Sequence, residues 1–179
     1  MSGHIILLSG SPRKGGNTDH MAEAFVDGAR SAGKQTVLFR VADLKIGGCL
    51  GCGHGFKEQG ACVQKDDMLP ILNALRKADA LVLASPVYYF GVSAQLKLSI
   101  DRFFALLQEG MPVKRAALLM ACGDDTDKAA ASSIGMFRQI CDYQKWEEAG
   151  IVIAPRLHNP GEIKGRPELE QARRLGESI

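Results

Sequence analysis

Between an apolar run and a helical pattern, residues 7–18 read Leu-Leu-Ser-Gly-Ser-Pro-Arg-Lys-Gly-Gly-Asn-Thr. Ser9, Ser11, Asn17 and Thr18 carry short polar side chains, and Gly10, Gly15 and Gly16 let a ligand approach the backbone. Arg13 adds a planar fork of donors suited to phosphate. A helix starting near Thr18 would contribute N–H groups and the positive end of its dipole. Two familiar phosphate loops do not match. A P-loop would need Lys and Ser/Thr where Gly16 and Asn17 stand, and Ser9-Gly10-Ser11-Pro12 breaks the dinucleotide pattern G-x-G-x-x-G. An ordinary strand-to-helix turn needs only Asn17 or Thr18 as a cap. The remaining hydroxyls, glycines and the Arg-Lys pair favour an anion site.

A second candidate stretch is residues 84–97, ASPVYYFGVSAQLK. Ser85 and Pro86 are expected to end a strand, leaving Tyr88, Tyr89 and Phe90 in a loop with Gly91. Rings beside a phosphate site suit a flat, partly apolar ligand with polar edges, whose rim the backbone of Pro86 to Gly91 would serve. The same rings would also serve as a plug over the core or as a subunit contact. Joined to the phosphate loop, they make a mononucleotide with a tricyclic ring the better account.

The cysteines leave three readings open. Cys49 and Cys52 form a CxxC, and Cys62 follows ten residues later. In order of preference they are free thiols, a redox-active disulfide, or ligands of a metal or cluster, for which the set is incomplete. His54 stands too near Cys52 for comfortable chelation, so no metal is expected. Cys122 and Cys141 have no spaced partners. Asp66-Asp67 reads as a helix start, Asp101-Arg102 as an ion pair or subunit contact, and Asp124, Asp125 and Asp127 as a turn and helix start. His4, His20 and His158 are scattered and support no histidine mechanism.

These residues need a scaffold, and the chain alternates strand and helix patterns. Strands are expected at His4–Leu8, Gln35–Val41, Ala80–Ala84, Arg115–Ala121 and Gly150–Ala154. Helices are expected at Thr18–Ala32, Asp66–Lys77, Ser93–Leu107, Lys128–Lys145 and from Pro167 to about Gly176, with a long Gly- and Cys-rich loop over residues 43–65. Apolar runs such as Ala-Leu-Val-Leu-Ala at 80–84 lack alternation, as expected of strands covered on both faces. The order implies a parallel sheet with right-handed crossovers. With five strands it predicts an α/β, flavodoxin-like three-layer sandwich of order 2-1-3-4-5, as a single domain over residues 1–179. Ligands of such sheets bind at the switch point beside the first strand, which is where the opening loop falls.

Composition narrows the function. Lys plus Arg is 22 and Asp plus Glu 20, so no basic face argues for nucleic acid. No apolar run approaches a membrane span, and the N-terminus shows no leader pattern. Five cysteines, an odd number, fit a reduced cytoplasmic setting.

Three stretches, GSPRKGGNT, GCLGCGHGFKEQGACVQKDDM and SPVYYFGVSAQLKLSIDRF, together resemble the NADPH-dependent FMN reductase family, on the branch related to iron–sulfur flavoproteins. That branch shows four compactly spaced cysteines, and here the third position is Gly55. The resemblance implies FMN, with its phosphate on Ser9, Ser11, Arg13, Asn17 and Thr18 and its ring against Pro86, Val87, Tyr88, Tyr89 and Phe90. Cys122, Gly123 and Asp124, in the loop 121–126, would face the ring from the other side. It further implies NAD(P)H as reductant, a small-molecule acceptor such as a quinone or free flavin, and a homodimer or homotetramer. A flavodoxin-like electron carrier is the alternative, though such carriers are often strongly acidic and this chain has a net charge of +2.

Overall fold

Apolar runs without alternation become strands with both faces covered. In this computed structural model, which describes residues 3–58, 62–125 and 127–179, β1 (His4–Ser9), β3 (Ala80–Tyr88) and β5 (Arg115–Ala121) are buried over most of their length. Thr126 of the 121–126 loop and residues 59–61 of the Gly- and Cys-rich stretch lie outside the described residues. β2 (Gln35–Arg40) and β6 (Glu147–Ala154) form the edges and are more exposed. The order is β2-β1-β3-β5-β6, all neighbours parallel, with a two-residue β4 (Gly91–Val92) turned back antiparallel on β3. Counting the five parallel strands alone, this is the expected 2-1-3-4-5 arrangement.

Successive residues along each strand face opposite layers. Ile5, Leu7, Val82 and Leu119 pack under α1 (Asn17–Ser31) and α6 (Pro167–Ser178). Ile6, Leu8, Leu81, Leu83, Leu118 and Met120 pack under α3 (Met68–Leu75), α4 (Ala94–Arg102) and α5 (Ala131–Gln144). A four-residue α2 (His54–Lys57) lies within the Gly- and Cys-rich stretch.

Several boundaries differ from the pattern reading. Ser85 and Pro86 do not end their strand, because β3 continues to Tyr88. Pairing with β1 stops at Ser9 opposite Ala84, while pairing with β5 continues to Pro86 opposite Ala121. Beyond Ala84, β3 is therefore an edge on the β1 side, where the missing N–H of proline costs no ladder bond. Tyr89 and Phe90 are the two turn residues of a tight hairpin rather than part of an open loop. The 93–107 helix ends as α at Arg102 and runs on as a 3₁₀ turn, Phe103–Leu106. β6 begins at Glu147, earlier than expected, because its polar start lies on the exposed edge.

Candidate functional site

The loop after β1 is set by a buried carboxylate. Asp19, in the first turn of α1, accepts the Ser9 hydroxyl at 3.2 Å and the Gly15 N–H at 2.9 Å, and forms an ion pair with Arg40 at the end of β2. Arg40 also donates to the Ser11 carbonyl at 3.2 Å and to Asp43 at 3.0 Å. A negative group at this helix end would repel an anion; the Arg40 guanidinium offsets it. Neither Asn17 nor Thr18 caps the helix. The N-cap is Gly16, with no side-chain bond, so the first-turn N–H groups stay uncapped. Gly10 serves packing rather than ligand approach: a β carbon there would stand 2.5 Å from the Ser93 hydroxyl, which donates to the Gly10 carbonyl at 2.7 Å.

The loop borders a cavity of about 210 Å³ at the switch point, lined by Ser11, Arg13, Asn17, Thr18, Pro86, Val87, Tyr88, Ala121, Gly123, Leu157 and His158. No carboxylate is among these. Asn17 works twice: it lines the cavity, and its amide donates to the Asn159 carbonyl at 2.8 Å and accepts from Ile163 N–H at 3.2 Å. That clamps the loop after β6 over the start of α1. Arg13 reaches the same loop, donating to the His158 carbonyl at 3.3 Å. Glu162 ties the loop to itself, accepting the N–H groups of His158 and Asn159 and the Asn159 amide. The backbone and side-chain bonds from Asn159 hold the Glu162 carboxyl below its ordinary range.

The remaining sequence candidates fall elsewhere. Ser9 is wholly buried behind the loop. Tyr89 and Phe90 stand at the hairpin tip, outside the cavity lining, with Tyr89 almost fully exposed. Cys122 is buried, and Asp124 is exposed with its carbonyl accepting Arg156 N–H at 2.9 Å. Pattern reading missed Asp19, Arg40, Leu157 and His158. Asp19, two residues after Asn17, resembled an ordinary acidic first-turn residue, and Leu157 and His158 belong to no motif.

The Gly- and Cys-rich stretch is organised by Arg102, which is 1% exposed. It makes a two-pronged pair with Asp66 at 2.7 and 3.0 Å, donates to the Gly47 carbonyl at 2.8 Å and contacts the Cys62 sulfur at 3.2 Å. Burial opposes ionisation of Asp66, yet the bonds from Arg102 and from Gly47 and Met68 N–H hold its carboxyl below the usual value. Cys49 and Cys52 are exposed free thiols, and Cys62 is half-buried. The hollow between them measures only about 20 Å³. Among the described residues, no group of three or more His, Cys, Asp or Glu is placed to hold a metal ion. None of the described helices is long and apolar enough to cross a membrane.

A doubly wound parallel sheet with an uncapped helix start and a carboxylate-free cavity at its switch point defines the flavodoxin-like class of nucleotide-binding proteins. Residues 4–146 match the family described as NADPH-dependent FMN reductase, and the chain belongs to that family. It is 41% identical to an iron–sulfur flavoprotein of Methanocaldococcus jannaschii, over 55% of this chain and 50% of that protein. It is 28% identical to YwqN of Bacillus subtilis, whose name describes an NAD(P)H-dependent FMN-containing oxidoreductase, over 96% of this chain and 95% of that one. The solved NAD(P)H:quinone oxidoreductase of Methanothermobacter marburgensis shares the fold, with a TM-score of 0.73 at 19% identity, covering 99% of this chain and 96% of that one. The match spans 50% and 43% of the length of two of these iron–sulfur flavoproteins, from Methanocaldococcus jannaschii and Archaeoglobus fulgidus, and 69% of another.

Proposed function

We propose that this protein is an FMN-dependent NAD(P)H oxidoreductase that delivers electrons to a quinone, a flavin or another small acceptor, in a cytoplasmic, self-associated form. The observation that carries the reading is the shared cavity: anion donors from the β1 loop on one side, the Pro86–Tyr88 wall and Gly123 on the other. The residues fit FMN. Arg13, the Ser11 and Thr18 hydroxyls and the uncapped first turn of α1 would hold the phosphate, with Ser9 and Asn17 shaping the loop from behind. Pro86, Val87 and Tyr88 would lie along the ring, and Gly123 leaves room because a β carbon there would press within 3.1 Å of the His158 imidazole. Cys122 and Asp124 would support that wall from the β5 side, and Tyr89 and Phe90 would border the entrance. When bound, FMN supplies the hydride-accepting and electron-donating chemistry. The chain's part is to bind, to orient and to neutralise the phosphate, and no side chain is needed as acid or base.

An iron–sulfur cluster, as in the names of several relatives, does not fit these residues. Only three cysteines, Cys49, Cys52 and Cys62, are present in the stretch, one short of the four thiolates such a cluster takes. Gly55 is packed so that a β carbon would sit 2.6 Å from the Ala105 carbonyl oxygen, leaving no place for a fourth cysteine.

An anaerobic absorbance spectrum tests the proposal. The purified protein should bind FMN, and its flavin bands should bleach rapidly with NADPH or NADH. Bands that stay oxidised with both, yet bleach with dithionite, would move the reading to an electron carrier. A protein that fails to take up FMN would sink it.

A further inference from the structure

We propose that His158, in the loop after β6, is a flavin-binding residue whose imidazole hydrogen-bonds the polar edge of the ring. This rests on the FMN reading above, and it supplies a partner for the part of the ligand other than its phosphate.

The cavity is polar at one end and apolar at the other. Arg13, the Ser11 and Thr18 hydroxyls and the uncapped turn of α1 gather at the phosphate end. Of the lining residues outside that loop, only Tyr88 and His158 carry a side-chain group able to hydrogen-bond. Pro86 also lacks a backbone N–H. A flat ring with carbonyls and nitrogens along one edge would leave them unpaired against such a wall, at a cost, unless these side chains answer them.

The imidazole is placed to do so. A β carbon on Gly123 would stand 3.1 Å from its Nδ1 and 3.3 Å from its Cε1, so the side chain lies along the wall that the loop after β5 supplies. Among the described residues neither imidazole nitrogen has a hydrogen-bond partner. Glu162, the nearest carboxylate in the loop, does not hold it. Both Glu162 oxygens are taken, by the N–H groups of His158 and Asn159 and by the Asn159 amide.

The backbone beneath the imidazole is fixed on every side. Its N–H donates to Glu162 at 2.6 Å, and its carbonyl accepts from Arg13 at 3.3 Å. Leu157 before it donates to the Cys122 carbonyl at 2.9 Å, and the Asn159 carbonyl after it accepts the Asn17 amide at 2.8 Å. Arg156 takes a φ of 56°, a left-handed conformation that a residue with a β carbon adopts at a cost. The residues that follow this turn, Leu157 and His158, are the ones this loop gives to the cavity. Strain held in place by its surroundings is typical of functional positions. A side chain carried on so rigid a backbone loses little freedom when a ligand meets it.

Fluorescence titration with FMN and with riboflavin, which has the ring but no phosphate, tests the assignment. His158→Ala should raise the dissociation constants of both ligands by the same factor, about tenfold. His158→Gln, which keeps a donor and an acceptor, should recover most of the loss. Arg13→Ala should weaken FMN and spare riboflavin, since Glu162 and Asn17 still hold the loop. The imidazole is exposed, so the denaturant midpoint of His158→Ala should equal that of the wild type. A donor on the polar edge favours the electron-rich flavin, so the midpoint potential of bound FMN should move to more negative values in His158→Ala. Loss of FMN affinity alone would make His158 a phosphate ligand and overturn the proposal. Equal losses with an unchanged potential would place the contact on the ribityl chain and overturn it as well. Unchanged affinities would remove His158 from the site while the FMN reading stands. A wild-type chain that binds neither ligand would overturn both.

Discussion

Two loops at the same end of the sheet are each held by an arginine–aspartate pair, and only one leaves room for a ligand. After β1, Asp19 and Arg40 sit behind the loop and take up Ser9, the Gly15 N–H and the Ser11 carbonyl, so Ser11, Arg13 and Thr18 border an open cavity. After β2, Arg102 sits inside the loop and binds Asp66, Gly47 and Cys62, drawing the stretch closed to a hollow of about 20 Å³. The same ion pair thus leaves a loop open beside a cavity when it anchors from outside and draws it closed when it anchors from within.

The comparison predicts that damage to the closed loop is paid in stability and damage to the open loop in ligand affinity. Asp66→Ala strands the buried Arg102 cation and should cost about 3–5 kcal/mol by denaturant midpoint, with FMN affinity of the folded protein nearly unchanged. An equal loss of FMN affinity would show that the two loops are one unit. Asp19→Ala should cost about 2 kcal/mol, less because Arg40 is partly exposed and can turn to water, but should also weaken FMN binding measurably by fluorescence titration. Arg13→Ala should leave the melting temperature unchanged and lower FMN affinity by about 2 kcal/mol, roughly 30-fold.

Acid sharpens the contrast further. The Asp66 carboxyl is held below its ordinary value of 3.8, so its contribution is complete above that value and is lost as pH falls through the lower folded value. Stability of the wild-type chain should therefore fall more steeply below about pH 4 than that of Asp66→Asn, as read by denaturant titrations at several pH values. The smallest effect is in the thiols. Cys49 and Cys52 should react first with a thiol reagent at neutral pH, and Cys62 more slowly. Cys141 should stay inert, since burial pushes its thiol up to about 11.

Much of the fold was legible because local patterns and global arrangement agree. The unbroken apolar runs at Ile5–Leu8 and Ala80–Ala84 can be satisfied only by strands with two covered faces. The β1 loop was legible for a similar reason: hydroxyls, glycines and Arg13 lie consecutively. The far wall of the cavity was not. Leu157 and His158 reach it only because Asn17 clamps a loop some 140 residues distant, and nothing local to either partner announces that bond. The Tyr88–Phe90 stretch was only partly readable. Its aromatic character was plain, but whether it formed a loop or a hairpin depended on β3 running past the end of its pairing with β1 at Ala84 and turning back on itself at Tyr88.

By itself, then, the sequence determined the alternation of strands and helices, the sheet order and the chemistry of the first loop, because each is written in neighbouring residues and their period. Only the tertiary structure decided which arginine meets which aspartate. Asp101-Arg102 and Asp66-Asp67 look like two unremarkable charge pairs, yet folding joins Arg102 to Asp66 and leaves Asp101 to Lys97. Long-range partners are chosen by where the sheet brings the helices, and burial then makes that choice binding, since a cation sealed from water must find its counter-charge inside the fold.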